Sequence, residues 1–220
     1  MKISDTDIEI HWLGHAGFKI KNSKVIYIDP YNIKEDSEKA DLILITHDHY
    51  DHCSVEDLNK IIQQGTKILC TADCQSKVAR FDTPVKLEVI QPDANIDLGT
   101  IKISTMPAYN IDKEFHPKDA GGVGYLIKMD GILIYHAGDT DKIQEMQKLT
   151  GHQEKFISLL PIGGRFTMTP EEAAEAAHLI KPDIAIPMHY GSIVGTTEDA
   201  SEFVQLCSEY GIDAKVLEKK

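Results

Sequence analysis

Cysteine is scarce in this 220-residue sequence, and the four present, Cys53, Cys70, Cys74 and Cys207, form no C-x-x-C pair. They do not resemble a secreted disulfide framework. No apolar run approaches the length that spans a bilayer. Residues 1–7 lack the apolar core and small-residue cleavage site of a signal peptide. The expectation is a reduced, cytoplasmic protein with no membrane partner. Basic residues are outnumbered, 23 Lys and Arg against 35 Asp and Glu, which gives a formal net charge of -12 with no basic cluster. Phosphate-backbone binding normally shows as a basic face, so a nucleic-acid partner is disfavoured and a small-molecule substrate is expected. No Pro/Gly/Ser linker, low-complexity tract or short repeat interrupts the chain, so residues 1–220 read as a single domain, with homo-oligomer formation left open. A G-x-S-x-G turn is also missing, which leaves a serine-hydrolase reading without support.

What is present is an alternation of short β-type runs with helical patterns. Ile8 to Leu13, Phe18 to Ile20 and Lys24 to Ile28 read as a meander, and Asp41 to Thr46, almost continuously apolar, as a buried interior strand. Ser54 with acidic Asp57 three residues on predicts a helix start, and Gly65 its stop. Ile101 to Thr105, Val123 to Met129 and Ile132 to Tyr135 read as strands, the last two joined by an Asp130-Gly131 hairpin turn. Phe156 to Leu160 follows as another strand. Thr169-Pro170-Glu171-Glu172 combines a capping box with Pro at the first helical position and opens a helix to about Ile180. A strand over Asp183 to Pro187, a helix around Thr197 to Tyr210 and a strand over Ala214 to Leu217 complete the pattern. Two sheets face to face with helices outside would bury both types of run.

Chemistry concentrates in His47-Asp48-His49-Tyr50-Asp51-His52, where the interior strand ends. Residues two apart in an extended segment point the same way, which pairs His47 with His49. Three imidazoles and a carboxylate in six residues form the mixed N/O set that zinc and similar divalent metals favour. Without a cation, such a cluster at the mouth of a buried strand is costly. Asp139, after Tyr135-His136-Ala137-Gly138, and His189, after Pro187-Met188, also stand at strand ends. Cys53 reads as a buried structural thiol, with a redox role beside His52 as the alternative.

H-x-H-x-D-H, then Gly-Asp-Thr, then a strand-end His resembles the metallo-β-lactamase superfamily across nearly the whole chain. Trp12-Leu13-Gly14-His15-Ala16 and Ile28-Asp29-Pro30 resemble the branch containing N-acyl phosphatidylethanolamine phospholipase D and L-ascorbate 6-phosphate lactonase. The resemblance implies an α/β (α+β sandwich) fold with four αββα layers. It implies that His47 and His49 share one metal with a third His, that Asp51, His52 and His189 hold a second, and that Asp139 bridges them. The third His is where this chain departs: Met106-Pro107-Ala108-Tyr109-Asn110 puts Asn110 in its place. His116 is the preferred substitute, since imidazole suits borderline metals better than an amide oxygen; Asn110 is the other candidate. Asp29 reads as an orienting partner of a ligand His or as a turn residue before Pro30. His15 and His136 are candidates for proton donation or substrate contact beside a structural reading, and Tyr190 for hydroxyl donation or packing.

The implied activity is metal-dependent hydrolysis of a small ester, lactone, amide or phosphodiester by a metal-bridged hydroxide, with Asp51, His136 and Tyr190 as catalytic candidates. Two Zn2+ ions are expected, with Mn2+, Fe2+ or Ni2+ as alternatives. Rival readings are a redox di-iron protein of the same fold, against which His49 stands where that branch shows Glu, a nuclease of the fold, and a non-catalytic metal-binding regulatory module.

Overall fold

The computed structural model describes residues 1–220. They divide into two compact units, Met1–Ile90 with Leu217–Lys220, and Gln91–Val216. Each unit holds one six-stranded mixed sheet.

In the first unit, β1 (Glu9–Gly14), β2 (Gly17–Lys21) and β3 (Val25–Ile28) form the expected antiparallel meander. β4 (Leu42–Ile45), β5 (Lys67–Cys70) and β6 (Lys86–Val89) extend it in parallel. Parallel additions need crossovers, and helices α1 (Val55–Ile61) and α2 (Gln75–Val78) lie within the last two. All of β4 is buried. Ile43 and Ile45 join Tyr27, Ile68 and Cys70 on the face that packs against Leu58 and Ile61 of α1 and Val78 of α2. Truncating a wholly buried residue there, such as Ile61→Ala, removes roughly 2–5 kcal/mol by the usual cavity cost.

The cap of α1 is as expected, with Ser54 Oγ accepting the Asp57 amide at 3.3 Å. The helix nevertheless ends at Ile61, short of Gly65. Thr66 Oγ1 accepts the Gln63 amide at 3.0 Å and donates to the Ala40 carbonyl at 2.7 Å, which draws the chain out of the helix toward β5.

In the second unit, β7 (Asn95–Asp97), β8 (Lys102–Pro107), β9 (Val123–Met129) and β10 (Ile132–His136) are antiparallel neighbours, and β11 (Lys155–Pro161) and β12 (Ile184–Met188) continue in parallel. The β9–β10 turn has both Asp130 (φ 48°) and Gly131 (φ 75°) in the left-handed region, the backbone that an Asp-Gly hairpin supplies. α3 (Pro170–Ile180) starts at the full Thr169/Glu172 capping box, and α4 (Thr197–Glu209) at a similar Thr196/Asp199 box. The strand expected over Ala214 to Leu217 is reduced to a single bridge, Ala185 with Ala214. Hydrogen bonds on either side of Ala185 hold Asp213 and Lys215, after which Val216 turns out, 49% exposed. No helix is long and apolar enough to cross a membrane.

Candidate metal centre

The end of β4 delivers the six-residue run, and its neighbours fix which ring nitrogens a cation could use. Asp29, just past β3, is wholly buried and takes three hydrogen bonds: from the Thr46 amide (2.8 Å), from Thr46 Oγ1 (2.6 Å) and from His52 Nδ1 (2.8 Å). A carboxylate only accepts, so His52 carries its proton on Nδ1 and presents the Nε2 lone pair. Thr46 has given its one hydroxyl proton to Asp29, so at 2.9 Å it accepts from His47 Nδ1, and His47 too presents Nε2. The His47 ring lies 4.6 Å from that of His49 and 4.1 Å from that of His52.

Asp51 is held from the other side by His15, whose Nε2 donates to Asp51 Oδ2 at 2.8 Å. His15 is 2% exposed, and its carbonyl accepts the Trp12 indole N–H at 2.8 Å. The ligand-type atoms of His15, Asp51 and His52 lie within 4.8 Å of one another. Lys77 of α2 binds Asp48 through both its backbone and side-chain oxygens, which anchors the run from outside.

In the second unit the chemistry gathers on Asp139, which follows β10. His189 Nε2 stands 3.0 Å and His116 Nε2 3.4 Å from Asp139 Oδ2. Two ligands at ~2.0–2.1 Å from a tetrahedral zinc are separated by roughly 3.3 Å, so these spacings suit donors around one cation as well as they suit hydrogen bonds. The loop of residues 110–118 does bring His116 in. Asn110 anchors that loop: its backbone N–H donates to the His116 carbonyl (2.8 Å), and Nδ2 donates to the carbonyls of Phe115 (2.8 Å) and Phe166 (2.7 Å). The Nδ2 of Asn110 is thus committed to backbone oxygens, while its buried Oδ1 has no hydrogen-bond partner. Asp141 secures the same loop, accepting the Ile111 amide at 2.8 Å and pairing with Lys113.

His15 (φ 51°), Asp29 (φ 42°), His116 (φ 58°) and His189 (φ 61°) are four of the nine non-glycine residues with left-handed backbone. Such conformations cost of order 1–3 kcal/mol each and concentrate at functional sites. In each unit the donors fit divalent transition metals: imidazole nitrogens beside carboxylates, with His47, His52, Asp139 and His189 buried and His49 and His116 half-buried.

Residues 9–189 match the β-lactamase superfamily domain. This chain belongs to that superfamily. A UPF0173 metal-dependent hydrolase of Thermococcus onnurineus is 35% identical over 92% of this chain and 93% of its own length. One from Archaeoglobus fulgidus is 32% identical over 96% and 95%. The solved structure of a metallo hydrolase from Ignicoccus hospitalis superposes with a TM-score of 0.75 at 26% identity, covering 96% of this chain and 95% of that one. The protein is a metal-dependent hydrolase, and its α/β sandwich is the metallo-β-lactamase fold.

Within this superfamily member the remaining candidates are placed as follows. His136 is wholly buried, and its Nδ1 accepts the Gly138 amide at 3.2 Å, which shapes the turn before Asp139. Tyr190 is 2% exposed, and burial pushes its hydroxyl up to about 12, so it stays protonated. The Cys53 thiol is buried and pushed up by a hydrogen bond with Cys74 and by desolvation, the setting of a structural rather than a reactive thiol. Thr46 is the residue that reading the sequence passed over. A hydroxyl closing an apolar run immediately before H-x-H was the signal.

Proposed function

We propose that His47, His49 and His116 hold one divalent cation and Asp51, His52 and His189 a second, with Asp139 common to both and zinc the native metal. The observation that carries the reading is the tautomer control at Asp29 and Thr46: two imidazoles have Nδ1 engaged and Nε2 presented, as ligand histidines require. Bound there, paired divalent cations supply Lewis acidity and a water of lowered pKa. The chain's own groups do the rest. Asp51, steadied by the His15 bond, orients the attacking water and takes up its proton. Tyr190, protonated at neutral pH, is a hydrogen-bond donor for oxygen gaining negative charge. His136 shapes the Asp139 turn. Substrates are small esters, lactones, amides or phosphodiesters, and the acidic chain makes a nuclease role unfavourable. Family membership runs across both units, which supports treating residues 1–220 as one functional domain. Four free, buried cysteines suit a reducing compartment such as the cytoplasm.

Metal analysis combined with a hydrolase screen tests this. The wild type is expected to hold two equivalents of metal, to turn over at least one substrate class and to lose activity reversibly to a chelator. His47→Ala and His116→Ala should each lower both metal content and rate. Asp139→Asn should cost more in kcat than in KM, because the shared carboxylate matters most in the transition state. Full metal content and activity in His47→Ala would sink the ligand assignment, and one ion or none without turnover would favour a binding module.

A further inference from the structure

We propose that Arg165 is a specificity residue that binds an oxyanion, carboxylate or phosphate, on the substrate, with Phe115 and Phe166 holding a planar or apolar group beside it. This rests on the reading that His116 and His189 serve the metal centre.

The loop Gly163-Gly164-Arg165-Phe166 leads from β11 toward α3 and lies against both of those histidines. A Cβ on Gly163 would come within 2.6 Å of the His189 carbonyl and 3.0 Å of His189 Nδ1, so only glycine permits the approach. Gly164 follows with φ 75°. At the other end the Phe166 carbonyl accepts from Asn110 Nδ2 (2.7 Å) and faces His116 Nδ1 at 3.2 Å. Arg165 therefore stands on a short, pinned segment between two candidate ligands.

Its side chain is prepared for recognition. The guanidinium lies 5.0 Å over the Phe166 ring, and Phe166 meets Phe115 edge-on at 4.9 Å. Stacking on a ring fixes the guanidinium plane while leaving its N–H edges available to a planar acceptor. Arg165 is exposed and forms no ion pair, although the chain carries a net charge of -12. Lys113 and Lys118 of the His116 loop, by contrast, are paired with Asp141 and Glu145. An unneutralised, oriented guanidinium matches oxyanions, which it binds bidentately. Phe115, 40% exposed, and Ile111, 61% exposed, add apolar surface on the same loop as His116. The substrate class that fits is an oxyanion joined to an aromatic or acyl group.

Calorimetric titration of phenylphosphonate, benzoate and neutral benzamide into metal-loaded wild type, Arg165→Gln and Arg165→Lys tests this. Arg165→Gln should weaken one or both anions by about tenfold or more, with Arg165→Lys intermediate, since it keeps charge but loses the fork. Benzamide binding and metal content should not change. Whichever anion suffers more identifies phosphate or carboxylate as the group read. Equal affinities in wild type and Arg165→Gln, equal loss for benzamide, or no anion binding by the wild type would each overturn the proposal. Metal stoichiometry in the same samples shows separately whether the metal-centre reading has failed.

Discussion

At the scale of single residues, Asp29 does more than its place before Pro30 suggests. It binds Thr46 twice and His52 once, and through Thr46 it sets the proton on His47. Asp29→Asn keeps the shape but puts an NH2 where a donor now points, so at least one of these bonds is lost. Partners that orient ligand histidines typically contribute 10–100-fold in metal affinity, and Asp29→Asn should lose about that much with every ligand still present. Competition with a chromophoric chelator measures it; unchanged affinity would reduce Asp29 to a turn residue. The ligand types were legible in sequence because H-x-H-x-D-H is compact. The support from Asp29 and His15 was not, since the contacts span 23 residues to His52 and 36 to Asp51 and arise only when strands pair.

Among the elements, the loop of residues 110–118 carries the departure from the family motif, and Asn110 clamps it through Nδ2. Two part-buried side-chain hydrogen bonds to the Phe115 and Phe166 carbonyls are lost in Asn110→Ala, at a cost of about 0.5–1.5 kcal/mol each. Asn110→Asp should be at least as damaging, because a carboxylate offers those oxygens no donor. Both variants should melt lower and, by freeing His116, bind metal more weakly; a wild-type melting curve and metal content would refute the clamp. Capped elements such as α3 could be read from sequence, since the Thr169 box is a local signal. Strands β5 to β7 were not foreseen. They are three or four residues long, and β6 and β7 contain no fully buried residue, so periodicity has little to register. The final strand was misread because hydrophobic residues at Val216 and Leu217 look the same whether they pair or turn away.

For the molecule as a whole, buried protonated groups set the alkaline limit of stability. Desolvation pushes the Cys207 thiol in α4 up from 9.0 to about 12, and burial raises Tyr27 and Tyr135 in the same direction. The folded thiol keeps its proton at a pH where the unfolded thiol gives it up, so its contribution is intact below about pH 9. It declines as pH rises toward about 12, by at most roughly 1.4 kcal/mol per pH unit. Denaturant unfolding at pH 8, 9.5 and 10.5 should show wild type losing stability faster than Cys207→Ala, although the variant starts lower for want of the packed sulfur. Parallel curves would show that this thiol is not shielded.

The left-handed backbone at His15, Asp29, His116 and His189 bears on how the enzyme matures. Free peptide segments seldom adopt that conformation, so the nascent chain has little tendency to assemble these four positions by local preference. Cation capture at the proposed centre then belongs late in folding, and its binding energy goes partly into holding strained backbone. These positions would thus be the last to protect their amide protons from exchange as the chain folds. In a cell, metal supply would govern how much of the synthesised protein becomes enzyme, independently of how much has folded.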